Sequence, residues 1–439
     1  MKILFIGVGL TDYYNQVLNK LTEQPDIEIF NLVASAGRGH TGDGVHQTTE
    51  GVKFKVIYSK ETTLNKLSEY SYKSFSGLDK ILNEIKPNII VSSETYIKSF
   101  SVNKKLLSTI KDLNIKIIMK DIPFRLEKYN DIKESIMKGE AEKKFLPFFA
   151  IYFKAVCDKL KLPILPILLG KIIGRLGLEK LYKKIFAKKI LLNKLESKKG
   201  LLNFPDAHVD YVEKAYEIFG SYGVPKEKIF IMYNSPDTDH LFDVRAKLEK
   251  EALILPHSDY RLIHVGRLIE WKRVDMLIRS LKKVKSEFKD AELLIIGTGP
   301  EENYLKTLIK SLELENSVKF LGGIYKPEDL GKYLLASTIY VLAGMGGISI
   351  NDAMIFGKPV ICSICDGTEK KLVYEGRNGL YFKDGDEDSL TDSIKKLLRN
   401  RGLIKKMGEN STEIIKNKVN IHTVIKGYLD AFNYVSNIK

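Results

Sequence analysis

Short apolar segments alternate with helical segments through both halves of this 439-residue chain. Alternation of this kind predicts an α/β architecture, in which helices cover the faces of parallel sheets. A chain of this length exceeds the size of one hydrophobic core, so we expect two domains of roughly 200 residues each. The predicted strands are Lys2–Ile6, Ile27–Leu32, Val52–Tyr58, Asn88–Ser92, Ile115–Met119, Ile229–Tyr233, Tyr260–Val265, Glu292–Ile296, Val318–Phe320, Thr338–Leu342 and Pro359–Cys362.

A turn-rich stretch separates the two halves. Asn234 to Asp239 follows the predicted strand Ile229–Tyr233 and contains Ser, Pro, Asp and Thr, which favour turns. We therefore predict one domain over residues 1–238 and a second over residues 239–420. A last amphipathic helix is predicted over Ile421–Ser436, within residues 421–439.

The chain is strongly basic, with a formal net charge of +15, which favours an anionic partner. Residues 138–199 carry most of this excess, with sixteen Lys and Arg against five Asp and Glu. Two interpretations stay open: a helical excursion packed on the first domain, or an amphipathic surface lying on an anionic membrane. We favour the membrane. A nucleic-acid partner is not expected, because no recognised binding motif accompanies the charge.

The same segment holds the longest apolar runs of the chain, Phe145 to Phe153 and Leu162 to Gly170. Each is about half of the roughly 20 residues that a membrane-spanning helix needs. The N-terminus resembles a first strand and not a signal peptide, and three cysteines suggest a reducing compartment. We therefore expect a cytoplasmic protein, peripheral at the inner face of the cell membrane.

A strand, a glycine cluster and a helix follow one another from Val341 to Met354. Free backbone N–H groups at such a junction favour phosphate binding. Asp352, on the helix, is placed to accept hydrogen bonds from a ribose. The segment therefore predicts a nucleotide site.

Two more strand ends carry similar chemistry. Gly266-Arg267-Leu268 with Lys272 puts two cations at a strand-to-helix turn, where they can bind a pyrophosphate. Gly297-Thr298-Gly299-Pro300 is a glycine turn after the next predicted strand. Ligands of open α/β sheets bind at these carboxyl ends.

In this order and spacing, the motifs resemble the retaining glycosyltransferases of family 4. The resemblance is close over roughly residues 220–400 and also includes Tyr222–Pro225, Tyr233-Asn234, Phe320-Leu321-Gly322 and Asn378-Gly379. It implies the GT-B fold: two Rossmann-like domains facing a central cleft, with the C-terminal helix crossing back to the first. Residues 1–238 would form the acceptor side and residues 239–420 the nucleotide-sugar side.

Site residues follow from the resemblance position by position. Arg267 and Lys272 would bind the donor pyrophosphate and act in catalysis, with no metal or other cofactor required. The amides around Gly347, Ile348 and Ser349 would cap the same phosphates, and Asp352 would hold the ribose. The other expected donor-binding positions are Gly266, Gly297, Gly299, Gly322 and Gly9, the last through the backbone of the loop after the first strand.

The sequence departs from the family pattern in three places. Gly344 stands where a Glu contacts the transferred sugar. Asp121 follows the strand after which relatives often have a His, and it is a candidate catalytic stand-in. Thr368 and Glu369 replace part of a further glycine segment and are candidate sugar contacts.

Two more candidates lie in the first half. His46 is in a glycine-rich loop and Glu94 at the end of a strand, where each would either face the acceptor or be an ordinary structural residue. The pairs Asp237/Asp239 and Asp384/Asp386 match an Asp-x-Asp metal motif, but they fall in a linker and a surface turn, so no metal site is predicted.

These observations predict a retaining, metal-independent glycosyltransferase that moves a sugar from a nucleotide-sugar donor to a lipid-linked or polysaccharide acceptor. Surface glycan assembly, such as lipopolysaccharide biosynthesis, is the expected setting. Two alternatives remain: a non-catalytic relative that binds a nucleotide sugar or lipid, and a nucleotide-sugar epimerase.

Overall fold

The computed structural model describes residues 1–35, 47–64, 72–121, 126–138, 179–256, 258–364 and 369–438. All statements below concern these residues. His46 and Thr368, two of the predicted contacts, lie outside them, as does most of the basic segment, residues 139–178.

The first sheet has seven strands in the order β3-β2-β1-β6-β7-β8-β9, and every neighbouring pair is parallel. A separate antiparallel hairpin, β4-β5, lies between β3 and β6 in the chain. The strands are β1 Lys2–Ile6, β2 Glu28–Ala34, β3 Lys55–Ser59, β4 Glu61–Leu64, β5 Tyr72–Phe75, β6 Ile89–Ser92, β7 Lys116–Asp121, β8 Ala207–Asp210 and β9 Ile229–Ile231.

Helices cover both faces of this sheet and bury two apolar clusters, one on each side. They are Asp12–Thr22, Leu78–Ile85, Glu94–Val102, Lys104–Asp112, Tyr129–Lys138, Glu179–Asn203 and Lys214–Ser221, with a 3₁₀ turn at Lys226–Lys228.

The second sheet has six parallel strands in the order β12-β11-β10-β13-β14-β15. They are β10 Arg261–Val265, β11 Glu292–Ile296, β12 Val318–Phe320, β13 Ile339–Leu342, β14 Val360–Cys362 and β15 Gly379–Tyr381. The associated helices are Thr238–Leu248, Val274–Val284, Glu302–Ser311, Pro327–Leu335, Ser349–Ile355, Glu387–Leu398 and Arg401–Asn417, with 3₁₀ turns at Glu270–Lys272 and Glu369–Lys371.

Strand order reverses between β10 and β13 in this sheet. The chain runs outward from β10 through β11 to β12, then returns to the other side of β10 and continues through β13 to β15. The loops after β10 and β13 therefore separate at their carboxyl ends and leave a crevice, which is where open α/β sheets bind ligands.

The C-terminal helix, Ile421–Ser436, packs on the first domain against Asp12–Thr22, β8 and β9. Its Tyr428 hydroxyl is 2.8 Å from the hydroxyl of Tyr14, and Phe432 is fully buried. The predicted crossing of this helix back to the N-terminal domain is confirmed. The predicted domain boundary after residue 238 stays a prediction. In the structure, the helix Thr238–Leu248 begins at this point, and the side chain of its N-cap residue, Asp237, accepts a hydrogen bond from the His240 N–H.

Strand β8, with the sequence Ala-His-Val-Asp, was missed by the sequence analysis. Its four residues are all buried, although two of them are polar. The hairpin β4-β5 was missed for a related reason, because its Thr, Ser, Lys and Glu residues give little apolar signal.

The helix Glu179–Asn203 ends the basic segment. Ile190, Leu195 and Leu202 are buried, and the last two lie in the core of the first domain. The later turns of this helix therefore agree with the first interpretation of the basic segment, a helical excursion packed on the first domain. Among the described residues, no helix is long and apolar enough to cross a membrane.

Candidate functional site

A cavity of about 400 Å³ lies at the strand-order reversal of the second sheet and faces the first domain. Its floor comes from the loops after β10, β11 and β13, and its opposite wall from the start of the helix Asp12–Thr22. The predicted site residues that line it are Gly266, Arg267, Lys272, Gly297, Gly347, Ile348, Ser349 and Asp352.

The loops after β10 and β11 touch through their backbones. A Cβ on Gly297 would lie 1.8 Å from the carbonyl oxygen of Gly266, and the φ of Gly297 is +143°. The N–H of Gly297 donates to the carbonyl oxygen of Gly322 at 2.7 Å, while a Cβ on Gly299 would lie 2.2 Å from the Leu268 carbonyl oxygen. Gly299 and Gly322 thus support the cavity floor from beneath and do not line it.

Two cations meet in this cavity. Arg267 lines it directly. Lys272 is only 7% exposed, and its Nζ donates to the carbonyl oxygens of Met345 and Gly346, both at 2.8 Å. Lys272 therefore fixes the glycine loop after β13 and also contributes positive charge where a pyrophosphate would be bound.

The start of the helix Ser349–Ile355 is fixed to the end of β10. The Ser349 hydroxyl donates to the carbonyl oxygen of Val265 at 2.9 Å and lies 2.8 Å from the buried Tyr340 hydroxyl. This leaves the Ser349 side chain engaged in the fold, so any contact with a phosphate would come from the backbone of residues 347–349.

Asp352 faces the cavity from the same helix. Burial, with a smaller contribution from the Asp12 carboxylate across the cleft, raises the pKa of its carboxyl group to about 7. Asp12 is the first residue of the helix Asp12–Thr22, and it lines the cavity together with Thr11 and Tyr13. Two acids, one from each domain, thus flank the cavity.

Gly344 lies under the turn Glu270–Lys272. A Cβ on Gly344 would be 2.2 Å from the carbonyl oxygen of Trp271 and 2.6 Å from the carbonyl carbon of Lys272. No side chain fits at this position while the turn stays where it is, so the space that a Glu would need is filled by backbone.

The remaining predicted residues lie outside the cavity lining. The Gly9 carbonyl oxygen accepts a hydrogen bond from Asn31 at 2.8 Å. Residues Thr11 to Tyr13, slightly later in the same loop and helix, line the cavity instead. Glu94 begins a helix and forms an ion pair with Lys198. Glu369 is 1% exposed, begins a 3₁₀ turn and is placed inside the fold.

Asp121 ends β7 and lies in register with Asp210, which ends β8. Asp210 is fully buried, and neither of its carboxylate oxygens has a hydrogen-bond partner. Burial raises the pKa of Asp210 well above its usual range, Asp121 raises it further, and Lys120 opposes the shift. The sequence offered only one signal for Asp210, a polar residue at the end of a short apolar run.

A second, larger recess of about 650 Å³ adjoins the cavity and shares Asp12, Gly323, Ile324 and Tyr325 with it. Lys326, Asp329 and Tyr333 line its far side. Asp12 and Tyr325 were not predicted as site residues. Asp12 had a readable signal, because Thr11-Asp12 after a loop is a typical N-cap followed by an acid in the first helical turn.

An ion pair joins the two domains. Glu213 of the first domain pairs with Lys371 of the second at 2.7 Å. Within the first domain, Glu213 also accepts a hydrogen bond from the Tyr233 hydroxyl at 2.7 Å, and the Tyr13 hydroxyl donates to the side chain of Asn234.

Both Asp-x-Asp pairs have structural roles. Asp237 and Asp386 are N-caps, Asp239 lies 3.0 Å from His422, and Asp384 accepts a hydrogen bond from Ser363. Within the described ranges, no group of three or more His, Cys, Asp or Glu side chains is placed to hold a metal ion.

Most of the second domain is similar to known proteins. Residues 246–414 match the family model of the glycosyl transferases group 1. An uncharacterized glycosyltransferase of Methanocaldococcus jannaschii is 31% identical over 182 residues, which are 40% of this chain and 46% of that protein. The lipopolysaccharide core biosynthesis glycosyltransferase LpsD of Rhizobium meliloti is 25% identical over 182 residues, 40% of this chain and 50% of that protein. The chain spans about half the length of the curated relatives it matches.

Similarity to solved structures extends over the whole chain. HepE of Anabaena, solved in complex with UDP, superposes with a TM-score of 0.61 at 15% identity and covers 99% of this chain and 100% of that one. At this identity the likeness concerns the fold alone. The predicted GT-B arrangement of two parallel-sheet, Rossmann-like domains is confirmed.

Proposed function

We propose that this protein is a glycosyltransferase with a nucleotide-sugar donor. Two findings support this: residues 246–414 match the family model of the glycosyl transferases group 1, and the chain has the GT-B fold. The observation that carries the proposal is the cavity between the domains, in which Arg267 and Lys272 face the backbone of residues 347–349 and the carboxyl group of Asp352. The solved relative HepE binds UDP, which supports a nucleotide as the ligand.

The chemistry follows from the charges in this cavity. Transfer breaks the bond between the anomeric carbon and the donor phosphate, and negative charge builds on the departing nucleoside diphosphate. Two cations held in a partly enclosed site stabilise that charge in the transition state. They would do so without a divalent metal, so donor cleavage in the presence of a chelator is part of the proposal.

Asp352 is the residue that would bind the ribose. Its carboxylate can accept hydrogen bonds from ribose hydroxyl groups. It lines the same cavity as Gly347, Ile348 and Ser349, whose backbone would bind the phosphates. The ionised form would bind the ribose more tightly, because both oxygens of a carboxylate can accept hydrogen bonds from its hydroxyl groups.

Retention at the anomeric carbon is the stereochemical part of the proposal. The acceptor hydroxyl would attack from the face that the phosphate leaves, form the new bond to the anomeric carbon and give its proton to the departing phosphate. Asp121, at the carboxyl edge of the first sheet, is proposed as the acidic side chain on the acceptor side.

A lipid-linked or polysaccharide acceptor in surface glycan assembly is proposed because the relative LpsD is named for lipopolysaccharide core biosynthesis. The basic excess of residues 138–199 supports contact with an anionic membrane, which would bring the first domain to the acceptor. The proposed location is therefore the cytoplasmic face of the membrane.

A donor panel tests the activity. Purified protein is incubated with UDP-, GDP-, ADP- and CDP-linked sugars in EDTA, with and without saccharide and lipid-linked acceptors, and product is followed by NMR. Transfer with the donor's anomeric configuration is expected, and Arg267→Ala should lose it. Nucleotide binding without turnover would favour the non-catalytic alternative; conversion of the donor sugar with no acceptor product would favour an epimerase.

A further inference from the structure

The ion pair between the domains is connected to the segment where the chain passes from one domain to the other. Glu213 of the first domain pairs with Lys371 of the second at 2.7 Å. The Tyr233 hydroxyl donates to the same Glu213 side chain at 2.7 Å, and Tyr233 lies shortly before the helix Thr238–Leu248. We call Glu213, Tyr233 and Lys371 the latch residues.

The backbone of Tyr233 is in the left-handed region, with a φ of +58°. A bulky side chain is rarely found there, because its Cβ crowds the neighbouring carbonyl oxygen. Of the non-glycine residues that the structure describes with a positive φ, Tyr233 is the only aromatic one. Strain of this kind persists only where surrounding contacts impose it, and it is often found at switch regions. The hydrogen bond to Glu213 ties this strained residue to the ion pair between the domains.

A small cavity separates the two domains next to the latch residues. Tyr211 and Tyr233 line it from the first domain, and Gly347, Asn351 and Lys371 line it from the second. Asn351 is 1% exposed, and its side-chain oxygen has no hydrogen-bond partner among the described residues. Buried polar atoms in a well-packed core are almost always paired. This interface is therefore packed less completely than a core, and polar interfaces of this type allow domains to move.

The same interface reaches the donor cavity. Gly347 lines both cavities, and its backbone belongs to the proposed phosphate site. The first domain contributes Thr11 to Tyr13 to the donor cavity and Tyr211 and Tyr233 to the small one. Movement of the first domain away from the Gly347 loop would therefore widen both cavities at once.

We propose that the latch residues hold the two domains together and that Tyr233 is the hinge. Its backbone is strained while the Glu213–Lys371 ion pair is closed, and opening of the pair lets the backbone relax and the domains separate. Hinges are commonly a few loop residues that absorb a large change in φ and ψ. The donor cavity would enclose its ligand in the closed form and exchange it in the open form. This inference goes beyond the proposed function, because separation of the domains requires no sugar transfer.

Small-angle X-ray scattering of the full chain without ligand measures the separation of the domains. Glu213→Gln removes the charge that pairs with Lys371, and Tyr233→Phe removes only the hydroxyl group. We expect both variants to have a larger radius of gyration than the parent protein. Glu287→Gln, which breaks an exposed ion pair with Arg399 inside the second domain, is the matched control and should keep the parent's radius.

Dissociation of a nucleotide gives a second readout. UDP and GDP are the probes, and stopped-flow measurement of the protein in EDTA gives the dissociation rate of each. Glu213→Gln should release the bound nucleotide up to about fivefold faster, the scale of a partly exposed ion pair. The double variant Glu213→Gln/Lys371→Met should differ little from Glu213→Gln alone, because both substitutions break the same pair.

The proposal is wrong if Glu213→Gln and Tyr233→Phe, shown to be folded by circular dichroism, keep the parent's scattering profile. It is also wrong if the effects of Glu213→Gln and Lys371→Met on dissociation are independent and add. The proposed function stands in both cases. If neither UDP nor GDP nor any other nucleotide binds the parent protein, the proposed function fails, while the scattering comparison still decides whether the latch exists.

Discussion

The Nζ of Lys272 donates a hydrogen bond to the carbonyl oxygen of Gly346 at 2.8 Å. Together with the bond from Nζ to the Met345 carbonyl oxygen, this contact joins the loop after β10 to the glycine loop after β13, across the point where strand order reverses. The charge that would meet a donor phosphate therefore also holds the backbone of the glycine loop in place. Binding and loop structure are coupled through a single side chain.

Replacing Lys272 by Met should weaken nucleotide binding by more than tenfold. The substitution removes a charged donor of hydrogen bonds, each of which is worth about 1.5–3 kcal/mol, and it frees the carbonyl groups of Met345 and Gly346. Calorimetry with a nucleoside diphosphate measures the loss. Lys247→Met, at an exposed position of the same domain, should bind like the parent; equal affinity in both variants would contradict the role of Lys272.

Nucleotide-sugar affinity should rise with pH through the titration of Asp352. Its pKa of about 7 lies above the usual value because of burial and of Asp12, so the carboxyl group is protonated below pH 7 and ionised above it. The ionised form is the better acceptor for ribose. A nucleotide sugar is the right ligand for this measurement, because the terminal phosphate of a nucleoside diphosphate itself titrates near a pKa of about 6.

Two variants separate the causes of this pH dependence. Asp12→Asn removes the second acid, so the midpoint of the affinity curve should move to lower pH. Asp352→Asn should bind more weakly and lose the dependence altogether. An Asp352→Asn protein that keeps the parent's pH profile would show that another group titrates.

Gly344→Ala should destabilise the protein by about 1–3 kcal/mol, the cost of overpacking a filled site. The added methyl group meets the backbone of Trp271 and Lys272, so nucleotide affinity should fall as well. Gly200→Ala is the matched control, because a Cβ there meets nothing within 4 Å and the helix gains propensity. Denaturant unfolding measures the stability of both variants. Unchanged stability of Gly344→Ala would mean that the turn Glu270–Lys272 does not pack against Gly344.

Asp210→Asn should stabilise the protein increasingly as pH rises. The folded-state pKa of Asp210 is raised by burial and by Asp121, so the folded protein binds this proton more tightly than the unfolded chain. Its contribution to stability is present at low pH and is lost as pH rises from the ordinary value of about 4 toward the raised one. Asn cannot ionise and has no such loss.

Unfolding free energies at pH 5 and pH 8 measure this difference. The gap between Asp210→Asn and the parent should be larger at pH 8, and Asp243→Asn, at an exposed position, should show no change in the gap. A gap that does not grow between pH 5 and pH 8 would mean that Asp210 is ionised in the folded protein at both pH values.

Sequence patterns were sufficient for the elements that bury apolar faces. Strands β11 and β12 and the helix Ile421–Ser436 have the predicted bounds, because their local sequence patterns agree with their tertiary packing. Strand β8 was not predicted because two of its four buried residues are His and Asp. Its burial depends on neighbouring strands that are distant in the chain.

The candidate site was predictable only on the side of the second domain. Arg267, Lys272 and Asp352 lie next to the glycine turns that mark them, so local sequence placed them. Asp12 reaches the cavity from the other domain, and Gly344 is constrained by backbone more than 70 residues earlier. Both positions depend on contacts between residues that are far apart in the sequence, and a local sequence pattern does not reveal such contacts.

The most direct test of the account is calorimetric titration of the parent protein and of Arg267→Ala with nucleotide sugars in excess EDTA. The account predicts saturable binding by the parent and at least about tenfold weaker binding by the variant, as expected when a charged hydrogen-bond donor is lost. Arg399→Ala, which breaks an exposed ion pair with Glu287, should bind like the parent. Absence of binding by the parent, or equal binding by Arg267→Ala, would contradict the assignment of this cavity as the donor site.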